Sequence, residues 1–261
     1  MQNSEHILTD TPPSADVRLP YGSEKHQFGD LRLAKGNGPF PAAMVVHGGF
    51  WRAKYDLVHA GFLCAALTKA GFTTWNLEYR RVGNPGGGWP GSFEDVSAGY
   101  QFLKQLTSRY PIDANRILVL GHSAGGQLVL ALGAHHNSMR AVVSLAGIVN
   151  LRRAWDLHLS NDAVVEFMRG TPTEVPDHYR EADPMQLSIP QAKQWLVHGT
   201  VDDTVPVDFS RDYVAAKQKR TGKEKEDAHL LEIAGAGHFD VIDPHSPAWK
   251  KIEELVQRLA A

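Results

Sequence analysis

The sequence predicts an α/β protein in which a mostly parallel central sheet is covered by helices on both faces. Short apolar runs of β type alternate along the chain with longer segments of helical period, as in folds that bury a parallel sheet between helices. Near-continuous apolar runs such as AAMVV and RILVL are typical of strands buried on both faces. One insertion has neither the periodicity of a strand nor that of a helix, and we interpret it as a small cap over the sheet.

Eight runs are expected to form the strands of this sheet. The two nearest the N-terminus, Val17–Leu19 and Phe28–Leu33, are expected to form an antiparallel edge. The parallel strands are expected at Ala42–Val46, Thr73–Glu78, Arg116–Leu120, Ala141–Leu145, Gln194–Val197 and Leu230–Ile233. Helical periodicity predicts helices at Val58–Ala70, Phe93–Thr107, Gln127–Ala134, Phe209–Arg220 and Trp249–Leu259.

The domain organisation follows from where this alternation starts and where it is interrupted. Residues 1–20 are expected to be an N-terminal tail and first strand, with the polar stretch Met1–Asp16 mobile. We expect residues 21–261 to form a single domain, because no Pro/Gly linker separates two self-sufficient cores. Segment 150–188 is rich in charge, Trp, Pro and His, and is interpreted as the cap.

Composition excludes several classes of protein. The chain has 261 residues and a net charge of −2, which gives no attraction to nucleic acid or to an anionic membrane. No apolar run reaches the roughly 18–20 residues that span a bilayer. The N-terminus lacks the features of a signal peptide, and Cys64 is the single cysteine, so a cytoplasmic location is expected. The sequence does not indicate an oligomeric state.

The segment RILVL-GHSAG-GQLVL contains the motif on which the functional interpretation depends. Gly121, Ser123 and Gly125 match G-x-S-x-G, between a predicted buried strand and a predicted helix. The turn is so sharp that side chains at the two glycine positions would collide with neighbouring backbone. This turn is typical of a nucleophilic serine raised above the sheet at the positive end of a helix, as in the α/β-hydrolase fold.

A serine nucleophile needs a base, and the base needs a third group to fix its tautomer. In this fold the acid and then the histidine follow later strands. Among the 13 histidines, His238 has the required position in the Gly-rich loop GAGHF. The loop HGTVDDTVP offers Asp202 and Asp203 as the acid; we favour Asp202, because Asp203 can help the chain turn into the next helix.

Acyl transfer also needs backbone N–H groups directed at the developing oxyanion. The segment VVHGGFW ends an early strand in two glycines, which lets the backbone approach a substrate closely. We expect the oxyanion hole to be formed by the amides of Gly48 or Gly49 together with Ala124, the residue after the nucleophile.

The motifs HGGFW, GHSAGG, HGTVDDTVP and GAGHF, in this order, resemble α/β-hydrolase esterases of the BD-FAE-like and hormone-sensitive lipase-like groups. HGGFW is also similar to the H-G-G-x-W pattern of kynurenine formamidases. The resemblance extends from about Pro41 to the C-terminus. It implies Ser123 as nucleophile, Asp202 as acid, His238 as base, and an oxyanion hole near Gly48 and Gly49.

Several side chains are candidates for the substrate pocket. Phe50 and Trp51 follow the glycines, Trp155 belongs to the cap, and Trp89 lies in a Gly/Pro-rich loop where it either anchors the loop or walls the site. Structural pairing is favoured over carboxylate binding for Arg80 and Arg81. Asp240, Asp243 and His245 match no metal-ligand spacing known to us, so we expect neither a metal nor another cofactor.

The leading interpretation is a serine hydrolase that cleaves small to medium acyl or aryl esters through an acyl-enzyme. The alternative is an arylformamidase that hydrolyses N-formylkynurenine with the same machinery. A non-catalytic ligand-binding protein of the same fold is disfavoured, because binding alone does not require three catalytic groups. The expected partner is a small ester or amide substrate, with no role for nucleic acid or membrane.

Overall fold

The computed structural model describes residues 4–136, 138–188, 192–221 and 228–261. Its strands are β1 Val17–Pro20, β2 Phe28–Arg32, β3 Phe40–Val46, β4 Thr73–Leu77, β5 Ile112–His122, β6 Ala141–Leu145, β7 Lys193–Gly199 and β8 Ala228–Ile233. They form one eight-stranded sheet in the order β1-β2-β4-β3-β5-β6-β7-β8. Strand β2 runs antiparallel to β1 and β4, and the remaining pairs are parallel. The predicted strands and the antiparallel edge are confirmed.

Helices cover both faces of this sheet. They are α1 Gly61–Lys69, α2 Gly91–Leu106, α3 Ala124–His135, α4 Leu151–Asp156, α5 Ala163–Met168, α6 Pro176–Ala182, α7 Asp208–Thr221 and α8 Trp249–Ala260, with 3₁₀-helices at Ser4–Leu8 and Leu57–Ala60. Strand β3 shows why two layers form: Met44 and Val46 join one apolar cluster, and Ala43 and Val45 join the other. Alternate side chains of a strand point to opposite faces, so each face needs its own helices.

The cap consists of the three short helices α4, α5 and α6, inserted between β6 and β7. Asp183 closes this insertion, because its carboxylate accepts hydrogen bonds from Leu151 N (3.1 Å) and Met185 N (3.1 Å). Burial raises the pKa of Asp183, although these backbone donors oppose the shift. The first turn of the cap and its last residues are therefore held together.

The N-terminal segment differs from the predicted mobile tail. Ser4–Leu8 is a 3₁₀-helix with a fully buried Ile7, and Ser4 Oγ donates a hydrogen bond to Asp243 at 2.8 Å. Ser4 and Asp243 are 239 residues apart in the sequence, so no local sequence pattern could predict this contact. Met1–Asn3 of the predicted tail lie outside the described residues. Among the helices that are described, none is long and apolar enough to cross a membrane.

Candidate active site

Ser123 occupies the turn between β5 and α3, with backbone angles φ 54° and ψ −117°. A non-glycine residue at positive φ is strained, and here the surroundings hold it in place. Ser123 N donates to Leu145 O at 2.9 Å, and Ser123 O accepts from Gly126 N at 2.9 Å. A Cβ atom on Gly121 would lie 2.2 Å from Gly125 O, so the turn needs glycine there. The strained backbone presents the serine side chain at the carboxyl edge of the sheet.

His238 and Asp202 are brought together by the loops that follow β8 and β7. His238 Nδ1 lies 2.8 Å from Asp202 Oδ2, and the side chains are 4% and 0% exposed. Asp203 is exposed and accepts a hydrogen bond from Thr204 Oγ1 at 3.2 Å. The structure thus places Asp202, and not Asp203, beside the imidazole of His238.

A second histidine, His198, contacts the same carboxylate. His198 Nε2 lies 3.2 Å from Asp202 Oδ2, while Asp202 Oδ1 accepts hydrogen bonds from Thr204 N (2.9 Å) and Val205 N (2.8 Å). Burial opposes ionisation of Asp202, but the hydrogen bonds from His198, His238 and Val205 outweigh it and hold its pKa below the usual range. The carboxylate is therefore an anion beside His238. Sequence reasoning set His198 aside as the base, because it lies at a strand end and precedes the position required of the catalytic histidine.

His122 fixes the loop that carries His238. Its Nε2 lies 3.0 Å from the backbone oxygen of His238, and the two rings are 4.7 Å apart. Burial lowers the pKa of His122 well below its usual value, with a further contribution from the charge of His238. His122 is therefore neutral and donates its Nε2–H to that carbonyl, which leaves the imidazole of His238 directed at Asp202.

The segment after β3 lies against the nucleophile. A Cβ atom on Gly48 would lie 2.9 Å from Ser123 Cβ, so only glycine allows this approach. Gly49, Phe50 and Trp51 then have φ values of 107°, 50° and 55°. Ala124 is the first residue of α3, and the N–H groups of a first helical turn have no partner within the helix. The predicted oxyanion residues are therefore neighbours of Ser123.

A buried ionic network holds this segment in position. His47 Nδ1 lies 2.8 Å from Gly48 O, and His47 Nε2 lies 3.1 Å from Glu78 Oε1. Arg81 pairs with the same Glu78 oxygen at 3.0 Å. Burial opposes ionisation of Glu78, but His47 and Arg81 outweigh it, so the pKa of Glu78 is lowered. Arg80 pairs with Asp95 at 2.7 Å, so both arginines make the structural pairs favoured from the sequence.

Ser123 and His238 line one pocket of about 270 Å³. No hydrogen bond joins Ser123 Oγ to His238 within the described part of the chain, and such contacts often tighten only when substrate binds. The other lining residues are Glu5, Leu8, Gly49, Phe50, Tyr55, His59, His122, Thr204 and Phe239. A larger cavity of about 720 Å³, bordered by Pro12, Phe62 and Trp249, contains none of the catalytic candidates. The smaller pocket is therefore the candidate active site.

Of the aromatic side chains predicted for the pocket, Phe50 lies in it and the three tryptophans do not. Trp51 is 1% exposed, stacks on Phe167 at 4.5 Å, and donates from Nε1 to Gln127 Oε1 at 3.1 Å. Gln127 in turn donates to Ala182 O of the cap at 2.9 Å. The prediction that Trp51 lines the pocket is therefore corrected: its side chain ties the segment after β3 to the cap.

Trp155 is a correction of the same kind, whereas Trp89 takes one of the two roles predicted for it. Trp89 is 4% exposed, packs near Phe93 with ring centroids 5.2 Å apart, and donates from its backbone N–H to Phe167 O at 2.8 Å. It is the anchor of its loop, which was one of the two interpretations left open. Trp155 lies on α4, and the Arg152 guanidinium lies 4.9 Å from its ring centroid. These aromatic rings stabilise the cap and its contacts.

Sequence reasoning missed seven residues that line the pocket: Glu5, Leu8, Tyr55, His59, His122, Thr204 and Phe239. Glu5 and Leu8 come from the 3₁₀-helix at the N-terminus, and Tyr55 and His59 follow the segment after β3. Burial lowers the pKa of His59 to about 3, and the neighbouring charge of His47 adds to the shift. His59 is thus a neutral wall of the pocket at ordinary pH.

The sheet order, the strained serine turn and the acid and histidine loops define an α/β-hydrolase fold. A sequence model of the BD-FAE family matches residues 30–216, and the chain belongs to this family. The resemblance drawn from the HGGFW and GHSAGG motifs is confirmed at this level.

Sequence relatives and solved structures agree with this assignment. The chain is 27% identical to "Esterase LipC" of Mycobacterium tuberculosis, over 87% of this chain and 60% of that protein. It is 24% identical to the "Probable isoprenylcysteine alpha-carbonyl methylesterase ICMEL1" of Arabidopsis thaliana, over 85% of this chain and 50% of that protein. The chain thus spans half to three fifths of these relatives.

Among solved structures, the fold resembles a "Truncated form of carbohydrate esterase from gut microbiota" with a TM-score of 0.80. The identity is 20%, and the match covers 96% of this chain and 99% of that chain. At this identity the likeness shows the common fold.

Proposed function

We propose that this protein is a serine hydrolase that cleaves small to medium carboxylic esters through an acyl-enzyme. The observation that carries the proposal is the 2.8 Å contact between His238 Nδ1 and Asp202, with His238 and Ser123 lining one pocket. Such an arrangement of nucleophile, base and orienting acid is the machinery of acyl transfer. The esterase names of the sequence relatives support an ester as the substrate.

In the proposed reaction Ser123 Oγ attacks the ester carbonyl carbon while His238 Nε2 accepts the hydroxyl proton. Asp202 stabilises the imidazolium that forms and keeps Nε2 directed at the serine. The carbonyl oxygen becomes an oxyanion, which accepts hydrogen bonds from Ala124 N–H and from Gly48 or Gly49 N–H. His238 then gives its proton to the departing alcohol. A water molecule, activated by the same imidazole, hydrolyses the acyl-serine.

The pocket supports a preference for short acyl chains. Its volume of about 270 Å³ lies just below the roughly 300–1,000 Å³ of typical small-molecule sites. Phe50, Tyr55 and Phe239 bound it with rigid aromatic rings. An acyl chain that outgrows these walls loses its alignment with Ser123, and a misplacement of about 1 Å costs roughly 10² in rate. We expect the highest kcat/KM at about two to six acyl carbons, without activation by a lipid–water interface.

The second candidate is arylformamidase activity. The same aromatic walls could stack against an aryl substrate, and the H-G-G-x-W pattern at His47–Trp51 favours this chemistry. Formyl transfer to Ser123 would use the same base and the same backbone donors. The two candidates therefore differ in leaving group and in the fit of the pocket.

A parallel assay separates these candidates. The wild-type chain is tested on p-nitrophenyl acetate, p-nitrophenyl butyrate, N-formylkynurenine and an emulsified long-chain ester. Ser123→Ala removes the nucleophile and should lower ester turnover by about 10³–10⁶. Ser108→Ala, which changes an exposed serine at the end of α2, is the matched control and should behave as wild type. A Ser123→Ala variant with more than about a tenth of wild-type turnover would refute the proposal.

A further inference from the structure

A cluster of possible metal ligands lies outside the catalytic pocket. His6 comes from the 3₁₀-helix Ser4–Leu8, and Asp243 and His245 come from the segment between β8 and α8. None of the three takes part in the proposed reaction. The sequence analysis considered Asp243 and His245 with Asp240 and expected no metal, but it did not include His6, which lies 237 residues from Asp243.

The geometry of this cluster suits a small divalent cation. His6 Nε2 lies 3.2 Å from Asp243 Oδ2, and His245 Nδ1 lies 3.1 Å from Asp243 Oδ1. The three ligand atoms lie within 4.8 Å of one another. Two imidazole nitrogens and a carboxylate are a common ligand set for zinc and related divalent metals.

The surroundings of His6 supply a second observation. Its other ring nitrogen, Nδ1, lies 3.2 Å from Asp10 Oδ2, so both ring nitrogens face carboxylate oxygens. A neutral imidazole has a single N–H group. If Nδ1–H donates to Asp10, the lone pair of Nε2 points at the carboxylate of Asp243. A cation between Nε2 and Asp243 Oδ2 would bind the lone pairs of both atoms. A carboxylate on the outer nitrogen of a histidine ligand is also the usual second partner in metal sites.

One ligand of the cluster is buried and rigidly held, and another is exposed to solvent. The Asp243 side chain is 2% exposed and is held by Ser4 Oγ at 2.8 Å and by His245 N at 2.9 Å. The His245 side chain is 66% exposed, so an ion can reach the cluster from solvent. A fixed carboxylate beside an open imidazole leaves room for water to complete the coordination sphere.

We propose that His6, Asp243 and His245 form a binding site for a divalent cation of the zinc type. The bound ion joins the N-terminal 3₁₀-helix to the segment that follows the His238 loop. Glu5 and Leu8 of the same helix line the catalytic pocket, so the ion also fixes one of its walls. This site stands independently of the proposed esterase activity.

The test uses the untagged chain, stripped with EDTA and returned to a chelator-free buffer. ZnCl₂ is titrated by calorimetry, and thermal unfolding is followed with and without the metal. Four proteins are compared: wild type, His6→Ala, His245→Ala and His158→Ala. His158 is the matched control, because its imidazole is 72% exposed and lies 2.8 Å from Asp162 outside the cluster.

Wild type and His158→Ala should bind one zinc ion per chain. With free zinc at about 100 times Kd, their Tm should rise by about 5 °C or more. His6→Ala and His245→Ala should each weaken binding by at least about tenfold. Since His245 is largely exposed, its variant tests the site even if His6→Ala does not fold. Zinc binding that is absent from wild type, or that survives both ligand substitutions, would overturn the proposal.

Discussion

The substitution Asp202→Asn tests the tautomer control at the centre of the proposed mechanism. The carboxylate of Asp202 accepts hydrogen bonds on both oxygens: Oδ1 from Thr204 N and Val205 N, Oδ2 from His238 Nδ1. An asparagine has one oxygen and one NH₂ group. If the amide oxygen stays with the two backbone donors, the NH₂ group faces His238 Nδ1.

That arrangement changes the tautomer of the His238 imidazole. Nδ1 must then accept a hydrogen bond, so the ring proton moves to Nε2, the nitrogen that should take the serine proton. The equivalent change in a Ser-His-Asp triad lowers kcat by about 10⁴ with the geometry intact. We therefore expect Asp202→Asn to lose about four orders of magnitude in turnover of p-nitrophenyl acetate.

The matched control is Asp203→Asn at the adjacent position. Asp203 is exposed and accepts from Thr204 Oγ1, so its substitution should change kcat by less than about threefold. Both variants are compared with wild type by steady-state kinetics and by circular dichroism, which reports whether each is folded. A folded Asp202→Asn enzyme within about tenfold of wild type, or an equal loss in Asp203→Asn, would refute this account of the triad.

Three other predictions concern neighbouring features. His198→Phe removes an imidazole whose Nε2 lies between Asp202 Oδ2 (3.2 Å) and Val205 O (2.9 Å), so kcat/KM should fall by about 10–100-fold and the acid limb of its pH profile should move to higher pH. His198→Gln, which can still donate a hydrogen bond to this pair of oxygens, should recover part of both effects in a pH–rate measurement. The pKa of His59 is lowered to about 3 in the folded chain, below its unfolded value, so His59 contributes stability that is present above pH 6.5 and lost as pH falls toward 3. Between pH 6.5 and 4.5 the free energy of unfolding, measured in urea, should therefore fall less steeply in His59→Asn than in wild type, by about 1 kcal/mol per pH unit. Equal slopes would contradict the buried neutral state of His59. EDTA should change kcat for p-nitrophenyl acetate by less than about twofold, because proton transfer and backbone N–H groups supply the proposed catalysis and the proposed zinc site contacts a pocket wall and not the reacting groups; a kcat that is lost to EDTA and restored by zinc would contradict this.

The fold could be read from the sequence because a parallel sheet buried on both faces needs continuous apolar runs. The run Ala141–Leu145 was predicted with the bounds that the structure has, and the other strands differ at their ends. Strand β5 starts at Ile112, before the predicted Arg116, because its first residues pair with β3 across a register shift near Phe40. Such an irregularity depends on the partner strand, which a periodic pattern in one strand does not reveal.

The triad candidates could be placed for a similar reason. In a parallel sheet the carboxyl ends of the strands meet at one edge, so loops after successive strands bring Ser123, Asp202 and His238 together. The pocket walls could not be placed in this way. Leu8 and Glu5 reach the site through a tertiary contact of the N-terminal helix, and Trp51 is drawn away from it by the acceptor on Gln127.

The link from Trp51 through Gln127 to Ala182 O sets a condition for redesigning the substrate range of the proposed esterase. Grafting a cap of different length would displace the carbonyl at the end of α6 and leave the buried Gln127 amide without its acceptor. An unsatisfied buried donor costs about 1–3 kcal/mol, and here the cost would fall on the residue that supports the segment beside Ser123. A library that keeps the last turn of α6 and varies the side chains around Phe50 and Tyr55 would explore new substrates without loosening the catalytic backbone.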